Sequence, residues 1–229
     1  KSVIQLFNQR RYFMPMSINI LPPEIQNQIA AGEVVERPAS VIKECIENAI
    51  DAGALQIEIK IEEGGKKLIQ IIDNGSGMSP QDAEKSLLRH ATSKIQSIDD
   101  LFSIQSYGFR GEALAAISSV SDFELITKRE TDQQGVKIAS QPSGSPALQL
   151  SSKVASNTGT TITIRNLFAP TPARLQYLKT NETEYRQCLK IIQSFALSNP
   201  EISFKLSKDG NITLDLPSST QQDRILQIL

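Results

Sequence analysis

Between Leu55 and Ile72 the sequence leaves little choice of local shape. Leu55, Ile57, Ile59 and Ile61 alternate with polar residues, Gly64-Gly65 interrupts, and Lys67 to Ile72 resumes as a run that is nearly all apolar at its end. A period of two is a strand with one buried face, and paired glycines reverse it, so this is a β-hairpin. Just upstream the period changes. Ile42, Cys45, Ile46, Ala49 and Ile50 recur at three and four, the single stripe of a helix from Pro38 to about Asp51 that Gly53 closes. A striped helix feeding a hairpin commits the chain to a sheet with helices layered on it.

The rest of the pattern extends that layout. Pro22-Pro23 opens a short helix through Ala31, where Gly32 is a natural stop. Ser79 caps and Pro80 starts a helix to about Arg89; residues 91–109 read as a loop, and a helix runs from about Gly111 to Ser118. Strands are expected near 123–128, 135–140, 147–154 and 159–165. A helix follows from about Glu182 to Ser198, with Asn181 as its cap, then a hairpin near 202–207 and 211–216 turned by Asp209-Gly210. Pro217-Ser218-Ser219 marks a junction before a new helix. The order gives an α+β fold, a two-layer sandwich with a mixed, mainly antiparallel sheet and helices on one face. It lacks the regular βαβ alternation of a doubly wound nucleotide fold.

Composition excludes several functions. No stretch approaches the ~20 apolar residues of a membrane span. His90 is the single histidine, which rules out His-rich metal sites; Cys45 and Cys188 have no CxxC spacing, which argues against zinc or a disulfide framework and fits a reducing compartment. Residues 1–15, ahead of Met16, lack a secretory signal and are read as an arm, a mis-assigned start or an expression remnant. Charge is uneven: residues 1–150 carry 15 Lys and Arg against 19 Asp and Glu, residues 151–229 carry 9 against 6. No whole-chain footprint for nucleic acid results, but Arg165, Arg174, Lys179, Arg186 and Lys190 are candidate DNA contacts.

Four stretches carry chemistry. Glu44, Asn48 and Asp51, at i, i+4 and i+7, gather two carboxylates and an amide on one helix face, hard oxygen donors that suit Mg²⁺ or a water-activating base. Asp73-Asn-Gly75-Ser-Gly77-Met78 follows an apolar strand, where a rigid sheet end presents a loop that backbone can bring close to a flat ligand; the donor spacing of a calcium loop is missing. Tyr107-Gly108-Phe-Arg110-Gly111-Glu-Ala-Leu114 opens a helix whose free N–H groups could hold phosphate, without a Walker lysine. Arg89-His90-Ala-Thr92-Ser93-Lys94 lies in the long loop, where Thr92, Ser93 and Lys94 offer hydroxyls and a cation. Each alone has a plainer reading: a solvated helix face, a glycine turn, a capping turn, a hydrogen-bonded histidine.

Their joint order resembles the GHKL (Bergerat-fold) ATPases. More specific strings, Ile29-Ala-Ala-Gly-Glu-Val-Val-Glu-Arg-Pro38, Arg89-His-Ala-Thr-Ser-Lys94, Tyr107-Gly-Phe-Arg-Gly-Glu-Ala-Leu114 and Asn166-Leu-Phe-Ala-Pro-Thr-Pro-Ala-Arg174, resemble the N-terminal ATPase region of the MutL DNA mismatch-repair proteins from about Ile18 onward. The resemblance implies ATP and Mg²⁺ as cofactors, Glu44 as the base that activates water, and Asn48 as the Mg²⁺ ligand. It implies that Asp73 bonds the adenine amino group, that Gly77 makes room for the ring, and that Thr160 lies nearby. Thr92, Ser93 and Lys94 would be lid residues at phosphate or ribose. Gly108, Phe109, Arg110, Gly111, Glu112, Ala113 and Leu114 would form the phosphate loop, with Asp51, Ala52, Met78 and Leu87 completing the nucleotide site.

The same resemblance implies an ATPase domain over residues 16–217 and the start of a truncated following domain at 218–229. It also implies slow hydrolysis, ATP-driven pairing with a second copy into a DNA clamp, a mismatch-recognition partner of the MutS type, no membrane, and a cytoplasmic, nucleoid-associated location of bacterial type. A phosphate-sensing lysine and a C-terminal dimerisation region belong to parts of such proteins that this sequence does not include. The alternatives are another GHKL ATPase, topoisomerase-like or chaperone-like, or a DNA-binding scaffold without turnover.

Overall fold

The first hairpin is β1 (Gln56–Glu62) and β2 (Leu68–Asp73), antiparallel and joined by a 3₁₀ turn at Glu63–Gly65. Ile57, Ile59, Ile61, Ile69 and Ile71 are buried while Glu58, Lys60, Glu62 and Gln70 keep contact with solvent, so the pairing register puts every one of these Ile on the core side. The structure, a computed structural model, describes residues 22, 31–32, 34–92, 94, 111–140 and 150–228.

Helix α1 (Pro38–Asp51) has Pro in its first turn and no side-chain cap. Its stripe of Ile42, Cys45, Ile46 and Ala49 is buried, with Val41 added and Ile50 partly covered. The remaining strands are β3 (Asp122–Lys128), β4 (Gly135–Ser140), β5 (Leu150–Val154), β6 (Gly159–Arg165), β7 (Ser203–Lys208) and β8 (Asn211–Leu216). They join one eight-stranded sheet in the order β5-β4-β3-β6-β2-β1-β7-β8. Among the described strands only the β1–β7 pair is parallel, so the sheet is mixed and mainly antiparallel, as expected. Its polar side carries cross-strand pairs such as Gln70 Nε2 donating to Thr163 Oγ1 at 2.9 Å and Lys137 bridging to Glu124 at 2.7 Å.

Among the described residues five further helices are complete: α2 (Pro80–Lys85), α3 (Ala113–Ser119), α4 (Pro172–Tyr177), α5 (Asn181–Ser198) and α6 (Gln221–Ile228). α1 packs on β2 and touches both α3 and α5. Four boundaries differ from the sequence reading. Gly32 and Val34 are helical, and Val35 N donates to Ala31 O, so the first helix does not stop at Gly32. α2 ends at Lys85 rather than near Arg89, its N-terminus capped by Ser79 as expected. Asn181 is the first helical residue of α5, and Thr180 is the cap, accepting from Thr183 N. α4 was not among the expected helices; Pro172 takes the first helical position, where its missing N–H costs nothing. The expectations that fall on residues 1–21, 23–30, 33, 93, 95–110 and 141–149 lie outside the described residues.

Candidate functional site

On α1 the three polar residues share one face, as their spacing requires. Asn48 Oδ1 accepts from Lys94 Nζ at 3.1 Å, and the same ammonium pairs with Asp51 Oδ2 at 2.5 Å. The Glu44 side chain is 27% exposed. Burial pushes its carboxyl above the ordinary range, Lys43 at 3.7 Å pulls back, and the Glu47 charge adds to the rise. Glu47, one helical turn before Asp51, is buried and held by Lys43 at 2.7 Å.

At the end of β2, Asp73 stands in register with Thr160 of β6. Its carboxylate accepts from the N–H of Gly75 at 2.8 Å and from the N–H of Thr160; burial nonetheless raises its pKa, because desolvation outweighs those two bonds. The Thr160 hydroxyl lies 3.0 Å from that of Thr127, which accepts from Met78 N at 2.9 Å. Thr127 is a residue that sequence reasoning missed. Nothing local marks it; only the β3–β6 register places it beside Thr160.

The loop after Asp73 is braced on both sides. Asn74 Oδ1 accepts from the N–H groups of Leu55 and Gln56 at 2.9 and 2.8 Å, a second role the sequence did not announce. Ser76 N donates to Ala52 O at 2.9 Å, which ties the loop to the end of α1 and brings the Asp51-Ala52 corner beside the Asp73 loop. Gly77 has φ +66°, and a Cβ there would sit 2.1 Å from Lys128 O. Its lack of a side chain therefore answers first to backbone within the protein. Met78, Leu87 and Leu114 pack on the core; Glu112 and Ala113 are half-buried.

The described parts of the two segments expected to form a lid and a phosphate loop, around residues 90–94 and 111–114, also meet. Gly111, at φ +61°, lies so close to residue 91 that a Cβ would be 2.4 Å from Ala91 O. His90 Nδ1 is 3.2 Å from Glu112 Oε1. Thr92 Oγ1 accepts from Lys94 N at 3.1 Å. Ser93, Gly108, Phe109 and Arg110 lie outside the described residues.

The candidate DNA contacts divide. Arg165 is exposed at the end of β6, and Lys179, Arg186 and Lys190 are exposed just before and along α5. Arg186 pairs with Glu182 at 3.3 Å. Arg174 differs: its guanidinium sits 5.5 Å over the Phe168 ring and packs against Gly32, with Nη1 buried. Among the described residues no three His, Cys, Asp or Glu side chains form a metal cage, so a divalent ion here would share its shell with a ligand. No helix among them is long and apolar enough to cross a membrane.

A mixed sheet with a carboxylate–amide helix laid against a glycine-flanked strand-end aspartate defines a nucleotide-binding ATPase domain of the GHKL class. Residues 36–163 match the family described as "Histidine kinase-, DNA gyrase B-, and HSP90-like ATPase". The DNA mismatch repair protein MutL of Porphyromonas gingivalis is 47% identical over 211 residues, 92% of this chain and 34% of that protein; MutL of Aquifex aeolicus is 42% identical over 213 residues, 93% and 49%. Among solved structures, the Aquifex aeolicus MutL ATPase domain complexed with ADP aligns with a TM-score of 0.68 at 33% identity, covering 85% of this chain and 69% of that one. An N-terminal domain of a DNA repair protein aligns at 0.73 and 28% identity, covering 89% and 60%. The chain belongs to the MutL family of DNA mismatch-repair proteins and comprises their type of ATPase domain. It spans about a third to half the length of the curated relatives it matches.

Proposed function

We propose that this domain binds Mg²⁺–ATP between the polar face of α1 and the end of β2, hydrolyses it slowly, and uses the occupied state as a switch. The observation that carries the reading is Asp73: a carboxylate buried at a strand end, braced by two backbone N–H groups, with lone pairs left to accept from a flat amino-bearing ring. Thr160 stands beside that carboxylate, and Gly77, Met78 and Leu87 would complete the pocket around the ring. Asn48 and Asp51 already accept a cation, the Lys94 ammonium, so their oxygens suit a metal ion as well. Asn48 would hold Mg²⁺, which when bound neutralises charge on phosphate oxygens. Glu44 orients a water and takes its proton, and its burial-raised proton affinity suits that task. Backbone N–H groups across 108–114 cradle phosphate, with Thr92, Ser93 and Lys94 beside it.

In the whole protein, occupancy would create a surface for a second copy. The pair would close on DNA and answer to a mismatch-recognition partner of the MutS type. Titration calorimetry with Mg²⁺–ADP tests the site: the wild type binds, and Asp73→Ala binds about 10- to 100-fold more weakly, the span expected for losing a hydrogen bond to a charged acceptor. Equal affinities would remove Asp73 from the adenine pocket.

A further inference from the structure

Lys94 reaches across to α1 and engages the oxygens that the functional reading gives to a metal. Its Nζ is 3.1 Å from Asn48 Oδ1 and 2.5 Å from Asp51 Oδ2, and it also acts through space on the Glu44 carboxyl, favouring the ionised form. The pairing is well covered: the Lys94 side chain is 21% exposed and that of Asp51 14%. An ammonium supplies positive charge and donors but no acceptor. To an amide oxygen and a carboxylate it offers what a divalent cation offers, and Asn48 Oδ1 cannot face both at once.

We propose that Lys94 is a resident stand-in cation, which neutralises the Asn48–Asp51 pair in the nucleotide-free protein and is displaced when metal-chelated nucleotide arrives. The proposal rests on the reading of Asn48 as the metal ligand. Free divalent ions must compete with a tethered charge already in place, so they bind poorly alone. A metal–nucleotide complex overcomes that competition, because its phosphates add negative charge that the displaced ammonium can follow. Lys94 N is bonded to Thr92 Oγ1 at 3.1 Å, so moving the lysine also perturbs the segment that carries Thr92. Metal occupancy is thereby linked to the positions of Thr92 and Lys94 through one exchange of cations.

Two measurements on the intact chain decide it. The first uses Mn²⁺ alone, read by electron paramagnetic resonance at fixed ionic strength without nucleotide. Removing one positive charge at such close range should tighten Mn²⁺ binding by about tenfold or more in Lys94→Met, while Lys94→Arg, which keeps the charge, stays at the wild-type affinity. Equal Mn²⁺ affinity in the Met variant and the wild type overturns the proposal. The second follows the side-chain Nζ resonance of Lys94 in protein labelled at lysine nitrogen, assigned by its loss in Lys94→Arg. The signal should persist with ADP and a chelator, and shift or broaden on addition of Mg²⁺–ADP. A signal unmoved at saturating Mg²⁺–ADP overturns the exchange while leaving nucleotide binding intact. Failure of Mg²⁺–ADP to bind at all in calorimetry would instead sink the functional reading, and the Mn²⁺ comparison, which needs no nucleotide, would still decide the exchange.

Discussion

Glu44 shows how a single carboxyl takes on chemistry from its surroundings. Burial raises its pKa above the ordinary value of 4.5, Lys43 and Lys94 oppose the rise, and Glu47 supports it. Glu44→Gln keeps shape and hydrogen bonding but cannot take a proton. It should bind Mg²⁺–ATP like the wild type and lose turnover by a factor of about 10² or more, the usual worth of a general base, measured by steady-state phosphate release. The same shift sets a stability signature. A carboxyl whose folded pKa lies above its unfolded value binds more protons when folded, so it stabilises the fold at low pH and loses that contribution as pH rises through the folded value. Glu44→Gln should therefore match or exceed the wild-type stability near pH 7, read by chemical denaturation. That margin should shrink as pH falls through the raised value toward 4.5. A margin that grows on acidification would contradict the burial argument. The helical spacing of Glu44, Asn48 and Asp51 was legible in the sequence, because i, i+4 and i+7 fix a shared face whatever the tertiary fold. The environment of Glu44 was not, since its burial depends on neighbours brought in by packing.

Among the elements, α6 is held by an unusual device for an ordinary amphipathic helix. Arg224 is 0% exposed. Its Nη2 donates to the carbonyls of Pro200, Ile202 and Pro217, at 2.9, 3.0 and 2.7 Å. Those carbonyls precede β7 and follow β8, so one guanidinium ties the last described helix to the edge of the sheet. Arg224→Met leaves the acceptors without that donor and should cost about 2–4 kcal/mol. At roughly 2–4 °C per kcal/mol for a domain of this size, a calorimetric scan resolves the loss, and limited proteolysis should open the 217–221 junction first. Unchanged melting and cleavage would show that α6 docks through its apolar side chains instead. The sequence does not single out Arg224, because nothing local distinguishes a buried arginine from a solvated one. Arg174, turned onto Phe168 and Gly32, escaped for the same reason. Strands fared better: alternation is a local signal, and all eight lie within a few residues of their expected positions. The helix α4 was hidden because two prolines within three residues suggest a loop, although a proline at the first helical position is compatible with a helix.

At the scale of the molecule, what the sequence could not supply is strand order. β6 lies between β3 and β2, and β7 runs parallel to β1, pairings between segments some 90 and 150 residues apart in sequence that no period records. Yet the site depends on them: Asp73 meets Thr160 only because β2 pairs with β6, and Thr127 joins them only because β3 pairs with β6. The resemblance to known ATPases carried Asp73 and Thr160 together, and missed Thr127. Part of the positive charge of residues 151–229 is on show: Lys179, Arg186 and Lys190 are exposed just before and along α5, and Arg186 and Lys190 lie one helical turn apart. The chain as a whole is nearly neutral at −1, so DNA contact of the kind proposed above would rest on such a local patch and would be weak and salt-sensitive for a single copy. Pairing of two copies on nucleotide binding would double the patch. With a non-hydrolysable ATP analogue and Mg²⁺, light scattering should show the mass moving toward that of a dimer, and duplex DNA should then bind more tightly in anisotropy measurements. Replacing Arg186 and Lys190 by Gln should weaken that binding for any sequence. It should also flatten the dependence of log K on log salt by about 0.9 for each phosphate that is no longer neutralised. A slope that does not change would place the DNA on another face, and a mass that stays at one copy would separate DNA binding from pairing in this domain.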